Sequence, residues 1–302
     1  MRIGIDLGGT KIEFIALDSA GLERVRFRRN TPVANYPETI DLIARNVSTI
    51  EKRFSVKCSV GIGIPGSISP SSGLVQNANS TWLNGQDLGQ DLSSVLSRTI
   101  KIENDANCFA LSEANDGSGF GAHSMFGVIF GTGVGGGLIA NNKLIAGSNA
   151  IGGEWGHNPL PKEDSHITQE RRCWCGKKDC IETYLSGPSL EKEFLEETGK
   201  RAPCSEIFSP DKILDSAATK IIARFEKRAA IALASVINIF DPQVIVLGGG
   251  LSNIPRIYDQ ILFHLQKYIF SKSYTVNLKP PVHGDSSGVR GAARLWDDLT
   301  DS

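Results

Sequence analysis

The 302-residue sequence has almost no net charge, with 32 Lys and Arg against 33 Asp and Glu and a formal −1 at pH 7. That balance gives no field for gripping nucleic acid or an anionic membrane surface. No apolar run approaches the roughly 18 residues that cross a bilayer. Strand-like alternation from Ile3 onward leaves no stretch that reads as a secretory signal. Low-complexity segments and solenoid periods are missing as well. What remains is a globular, cytosolic protein acting on a small molecule, without nucleic-acid or membrane partners. In a reducing compartment its six cysteines read as thiols or metal ligands rather than disulfides.

The length suits two domains of roughly 150 residues, and 40% hydrophobic content fills a core in each. Residues 1–30 alternate as strands, with Asp18-Ser19-Ala20-Gly21 as a hairpin turn. Pro37 suits a first helical turn, and Ile40, Ile43, Val47 and Ile50 follow at helical spacing. Strands are expected at SVGIGIP (59–65) and at TIKIEND (99–105), the latter entering the helical pattern ANCFALSEA. The glycines of DGSGFGAHS (116–124) mark a boundary. The second half opens as the first does: FGVIFGTGVGGGLIANNKLIAG (126–147) is strand, glycine turn, strand and an Asn-Asn hairpin, which implies an internal duplication. Phe225, Ala229, Ala232, Val236 and Phe240 mark one face of a late helix, Asp241-Pro242 ends it, and VIVLGGG (244–250) is a buried strand ending in glycines. The pattern predicts two α/β domains with a cleft, ligands sitting at the carboxyl ends of the strands.

Glycine lets backbone N–H groups approach a ligand oxygen directly, which suits phosphate. In DLGGTK the expected donors run from Gly8 and Gly9 through Thr10 to Lys11, and Asp6 at the strand end is placed to hold a divalent metal through water. Taken alone, the turn reads equally as a tight hairpin. GTGVGGG (131–137) adds a second anion cradle through Gly131, Thr132, Gly133 and Gly135, and Gly249 and Gly250 of LGGG offer flat backbone to a nucleoside. These turns lead into strands or stand alone, so neither the P-loop nor the helix-opening dinucleotide fingerprint applies.

His157, Cys173, Cys175 and Cys180 are spaced H-x15-C-x-C-x4-C. One imidazole and three thiolates suit a closed tetrahedral zinc site. Cys58 and Cys108 sit in apolar patterns and read as core, and Cys204 has no assignment. Asp105 at a strand end entering a helix reads, on its own, as a helix N-cap.

In this order, DLGGTK, GTGVGGG and LGGG resemble the phosphate and adenosine elements of the sugar kinase, heat-shock protein and actin superfamily. With GGEWGHNPLP (152–161) and CWCGKKDCIE (173–182), the chain resembles the ROK family of bacterial sugar kinases and repressors over nearly its whole length. The resemblance implies two actin-like (ribonuclease H-like) α/β lobes. The smaller spans 1–118, joined by a C-terminal helix near 287–302, and the larger, 119–286, carries the zinc loop. It implies ATP with Mg²⁺, a structural Zn²⁺, a homodimer, and Asp105 as the base accepting a sugar hydroxyl's proton. It assigns Gly66, Asn79, Asn104, Glu154, His157 and Glu182 to the sugar. The family's cysteine cluster usually has glycine where Asp179 stands, and a left-handed backbone is expected there.

Several stretches, NANSTWLNG (77–85) among them, look most like manno(fructo)kinases, which makes fructose phosphorylated at its 6-hydroxyl the expected reaction. DANCFALSEA and CIETYLSG look equally like N-acetylglucosamine kinases, whose substrate is the alternative. Trp82 and Asn79 suggest a wall too tight for an acetamido group. ROK repressors carry a winged helix-turn-helix before the DLGGT element, and five residues before Asp6 leave no room for one.

Overall fold

The computed structural model describes residues 1–32, 34–162, 167, 169–209, 216–284 and 287–297. The chain divides into two compact units: Met1–Gly121 with Gly137–Gly153 and the described part of Asp285–Ser302, and Ala122–Gly136 with Glu154–Gly284. The boundary expected after residue 118 thus falls at Gly121, and residues 137–153, expected in the second lobe, cluster with the first unit.

In the first unit, β1 (Arg2–Leu7), β2 (Lys11–Leu17) and β3 (Glu23–Asn30) form an antiparallel meander. Asp18 closes its second turn by accepting the N–H groups of Ala20 and Leu22, and Gly21 takes a φ of 80° there. Helix α1 (Tyr36–Phe54) opens on Asn35, whose side chain accepts the Glu38 N–H, with Pro37 in the first turn. Its Ile40, Ile43, Val47 and Ile50 are buried against Ile3, Ile5, Leu7, Val60 and Ile62. Each such side chain contributes about 1.5–3 kcal/mol of transfer free energy. The chain continues through β4 (Ser59–Ile64), the short hairpin β5 (Ser67–Ile68) and β6 (Val75–Gln76), α2 (Leu88–Leu96), β7 (Lys101–Asn104) and α3 (Asp105–Asp116). The sheet order is β3-β2-β1-β4-β7, and β1, β4 and β7 run parallel.

The C-terminal helix, Ser287–Arg294, packs on this sheet and on α3 with Val289, Ala292 and Ala293 fully buried. Glycine permits the approach. A Cβ on Gly4 would stand 2.1 Å from the Val289 carbonyl oxygen, and one on Gly61 would stand 1.9 Å from that of Ala292. Trp296 lies past the end of this helix and donates its indole N–H to the Val60 carbonyl at 2.7 Å.

In the second sheet the order is β10-β9-β8-β11-β12, built from β8 (Ser124–Phe130), β9 (Val134–Ala140), β10 (Lys143–Leu144), β11 (Val244–Gly248) and β12 (Leu278–Lys279). A hairpin edge followed by parallel strands appears in both sheets, which is the duplication expected from the repeated glycine turns. Asn141 and Asn142 turn between β9 and β10 with φ of 49° and 57°, the hairpin geometry asparagine tolerates. Helices α4 (Glu182–Leu185), α5 (Gly187–Thr198), α6 (Cys204–Ile207), α7 (Ser216–Phe240) and α8 (Arg256–Leu265) complete the unit. Along α7 Phe225, Ala229 and Ala232 are buried as expected, but Val236 and Phe240 are half-exposed and Ile237 takes the inner position. Over that length a spacing of four residues drifts off the 3.6-residue turn.

Candidate functional site

The first unit gathers its chemistry at the carboxyl ends of β1 and β7. Strand pairing sets Asp6 opposite Glu13 and Glu13 opposite Arg28, while on the other side Asp6 stands opposite Gly63 and Gly63 opposite Glu103. Residues in register share a sheet face, so Arg28, Glu13, Asp6 and Glu103 form one row across the strands. Glu13 is buried and takes an ion pair from Arg28 at 2.9 Å. Burial, together with the charges of Asp105 and Glu13, raises the Asp6 carboxyl to about 7, while Arg28 pulls it down. A cation beside Asp6 would relieve this crowding of carboxylates, so the donor set fits a hard divalent ion.

The DLGGTK turn is narrower as a cradle than expected. Gly8 spends its N–H on the Lys11 carbonyl at 3.0 Å, which takes it out of the expected row of donors. Thr31 braces it, its hydroxyl donating to Gly8 and its N–H to the Thr10 carbonyl. Lys11 is exposed at the start of β2.

Asp105 is the first residue of α3 and is exposed, its Oδ1 accepting the Ala106 N–H at 2.8 Å; the cap is Asn104, whose Oδ1 accepts the N–H groups of Ala106 at 2.9 Å and Asn107 at 3.2 Å. The other end of that amide, Nδ2, donates to the Gly66 carbonyl at 3.2 Å. Both ends of Asn104, expected on the sugar, therefore engage the protein. Glu103 adds a brace, accepting from the Asn104 N–H and from Asn107 Nδ2. Gly66 sits against Gln76 and Ala78, where a Cβ would meet backbone at 2.7 Å. Asn79 is exposed and its N–H donates to the Pro65 carbonyl, whereas Trp82 spends part of its ring on the core.

In the second unit the turn 131–133 also closes on itself, because Gly131 donates its N–H to the Gly133 carbonyl at 3.0 Å. The Gly131 carbonyl accepts from the Gly187 N–H at the start of α5, and Gly135 spends its carbonyl on the Trp155 indole. Thr132 is exposed at the tip. Gly249 has a φ of 79° and stands so close that a Cβ would lie 2.4 Å from the Phe130 carbonyl oxygen; Gly250 faces open space. Cys204 packs here, its thiol donating to the Gly187 carbonyl at 3.3 Å, and burial pushes it up to about 12.

His157, Cys173, Cys175 and Cys180 converge: one ligand atom from each lies within 4.8 Å of all the others. His157 Nδ1 is 3.6 Å from the Cys173 sulfur, and the Cys175 and Cys180 sulfurs are 3.6 Å apart. Asp179 has the left-handed backbone expected, with φ of 54°. Its carboxylate also accepts from the Arg171 N–H and the Tyr184 hydroxyl and pairs with Lys162, contacts that a glycine there could not make. Glu154 is raised, by burial first and then by Glu182, with His157 opposing. Glu182 is held from two sides, by the Val134 N–H at 2.9 Å and by the Trp174 indole N–H at 2.7 Å.

Sequence reasoning missed Glu13, Glu103 and Trp174. The first had a signal, a charge in the otherwise apolar IEFIAL. The other two emerge only from pairing and loop closure.

These are two α/β units of the actin-like sugar kinase architecture, each with a glycine turn after its first strand. A family model described as "ROK family" matches residues 2–299, and the chain belongs to the ROK family. It is 40% identical over 300 residues to the N-acetyl-D-glucosamine kinase of Vibrio cholerae, covering 98% of this chain and 99% of that one. The ROK hexokinase of Thermus thermophilus superposes with a TM-score of 0.85 at 27% identity, covering 97% and 96% of the two chains. A ROK glucokinase from Streptomyces griseus, solved with glucose and AMPPNP, gives 0.80 at 25% identity, covering 97% and 98%.

Proposed function

We propose that this protein transfers the γ-phosphoryl group of ATP to the 6-hydroxyl of N-acetyl-D-glucosamine. The observation that carries the sugar is the 40% identity, over almost the full length of both chains, to a kinase named for it. Fructose, the first expectation, has no counterpart among these relatives. The chemistry rests on Asp105, exposed at the start of α3 while Asn104 does the capping.

Asp105 accepts the proton of the attacking hydroxyl. Asn104 orients it by tying the helix start to Gly66. Thr10, Lys11, Thr132 and the adjoining backbone N–H groups receive phosphate oxygens, and Gly249 and Gly250 lie along the nucleoside. Glu154, His157 and Glu182 take sugar hydroxyls, with Asn79 and the Gly66 backbone beside them. Asp6 would hold Mg²⁺, which would supply charge neutralisation at the phosphates. His157, Cys173, Cys175 and Cys180 would hold Zn²⁺, which would fix the loop that carries the sugar contacts. Among the described residues no helix is long and apolar enough to cross a membrane. Cytosolic residence and a homodimer belong to the same proposal.

The test measures ADP release and sugar phosphate for wild type and Asp105→Ala. Sugar binding with turnover lost in the variant supports the reading. A sugar-sensing regulator of the same family would bind sugar and shift a DNA fragment without consuming ATP.

A further inference from the structure

Trp174 stands between two of the clustered cysteines and is 59% exposed. An exposed indole N–H ordinarily points to water. Here it ends on Glu182 Oε1 at 2.7 Å, while the opposite oxygen, Oε2, accepts the Val134 N–H at 2.9 Å. The indole also meets His157 edge to face, ring centroids 5.1 Å apart at 86°. One side chain therefore touches two of the three second-unit groups assigned to the sugar.

A carboxylate has about four acceptor sites, and two donors held at its opposite oxygens fix its plane without exhausting it. The Cys173 thiol also reaches Oε1, at 3.9 Å, so the acceptor site left for a sugar hydroxyl is on Oε2. Without the indole, Oε1 keeps only the long Cys173 contact, and the carboxylate could rotate about its Val134 anchor and turn Oε2 off the hydroxyl.

We propose that Trp174 is a positioning residue for sugar recognition: its indole N–H locks the Glu182 carboxylate, and its ring walls the same subsite beside His157. This rests on Glu182 binding the sugar, and it adds a residue that acts through Glu182 on affinity rather than on the transfer step.

Trp174→Phe keeps the ring and removes the donor. Binding of N-acetyl-D-glucosamine by calorimetry should weaken about tenfold, the scale of one hydrogen bond to a charged group. kcat at saturating sugar should stay within about twofold, so that the loss falls on KM. Zinc content should be unchanged. Of the four tryptophans, Trp155 is buried and Trp82 and Trp296 are partly buried, so iodide quenching reports mainly on Trp174. Sugar should reduce quenching in the wild type and not in Trp174→Phe. Trp174→Ala, lacking the wall as well, should bind more weakly still.

Wild-type affinity in Trp174→Phe, with Glu182→Gln impaired, overturns this inference alone. Weakening that appears only with loss of zinc also overturns it, by assigning the effect to the loop's fold. Wild-type affinity in Glu182→Gln removes Glu182 from the sugar site, and the reading of that residue falls together with the inference.

Discussion

Asn104 donates to the Gly66 carbonyl at 3.2 Å while capping α3 with its other amide atom, so one side chain ties the helix that presents Asp105 to the loop after β4. Asn104→Asp keeps the capping oxygen and loses the donor; Asn104→Ala loses both. Unfolding free energy should fall by about 1 kcal/mol in the alanine variant, with little change in the aspartate variant. kcat/KM should fall about 10- to 100-fold in both, because the misplacement concerns the base. Chemical denaturation and steady-state kinetics check the pair.

Asp6 makes stability depend on pH. Its carboxyl is raised to about 7, by burial first and then by Asp105 and Glu13, so between its unfolded value near 4 and that pH the native state holds the extra proton. Stability from this group is complete below the unfolded value and is lost as pH rises towards 7. Asp6→Asn should abolish that decline and be about 2–4 kcal/mol more stable than the wild type at pH 8 without Mg²⁺, while losing turnover. Urea unfolding across pH 4–8 reads the difference, and parallel curves would contradict it.

Gly291 in the C-terminal helix leaves no room for a methyl group: a Cβ would stand 1.7 Å from the Cys108 carbonyl oxygen. Alanine favours a helix by about 1 kcal/mol, but the clash is with backbone, so Gly291→Ala should cost about 2–4 kcal/mol. Gly250→Ala meets nothing within 4 Å and should leave thermal unfolding unchanged.

Cys175→Ser removes one of the four converging ligands. Zinc measured by mass spectrometry should drop from one per chain towards none, and Tm should fall by about 5–10 °C. A chelator should lower the wild-type Tm by a similar amount and leave the variant unmoved.

Much of this was legible because burial leaves a periodic trace. Ile40, Ile43, Val47 and Ile50 mark α1 as clearly in the sequence as in the core they fill. The cysteine spacing likewise anticipated a cluster whose members converge. Hydrogen-bond economy was not legible. Nothing in DLGGTK says that Gly8 would spend its N–H inside the turn, and nothing in IENDANC says that Asn104 would cap α3 while Asp105 shares the Ala106 N–H. The row from Arg28 to Glu103 exists only through strand pairing, which composition does not encode. The sugar was illegible for a related reason: the stretches that resemble both kinds of kinase, DANCFALSEA and CIETYLSG, carry Asp105 and Glu182, whose proposed work is the same on any hexose.

The most direct test supplies the purified protein with ATP, Mg²⁺ and, in turn, N-acetyl-D-glucosamine, fructose, glucose and mannose, following ADP release and identifying the phosphorylated carbon by NMR. The highest kcat/KM is expected with N-acetyl-D-glucosamine, with phosphate on its sixth carbon. ADP release that no sugar raises above the protein's background would contradict it.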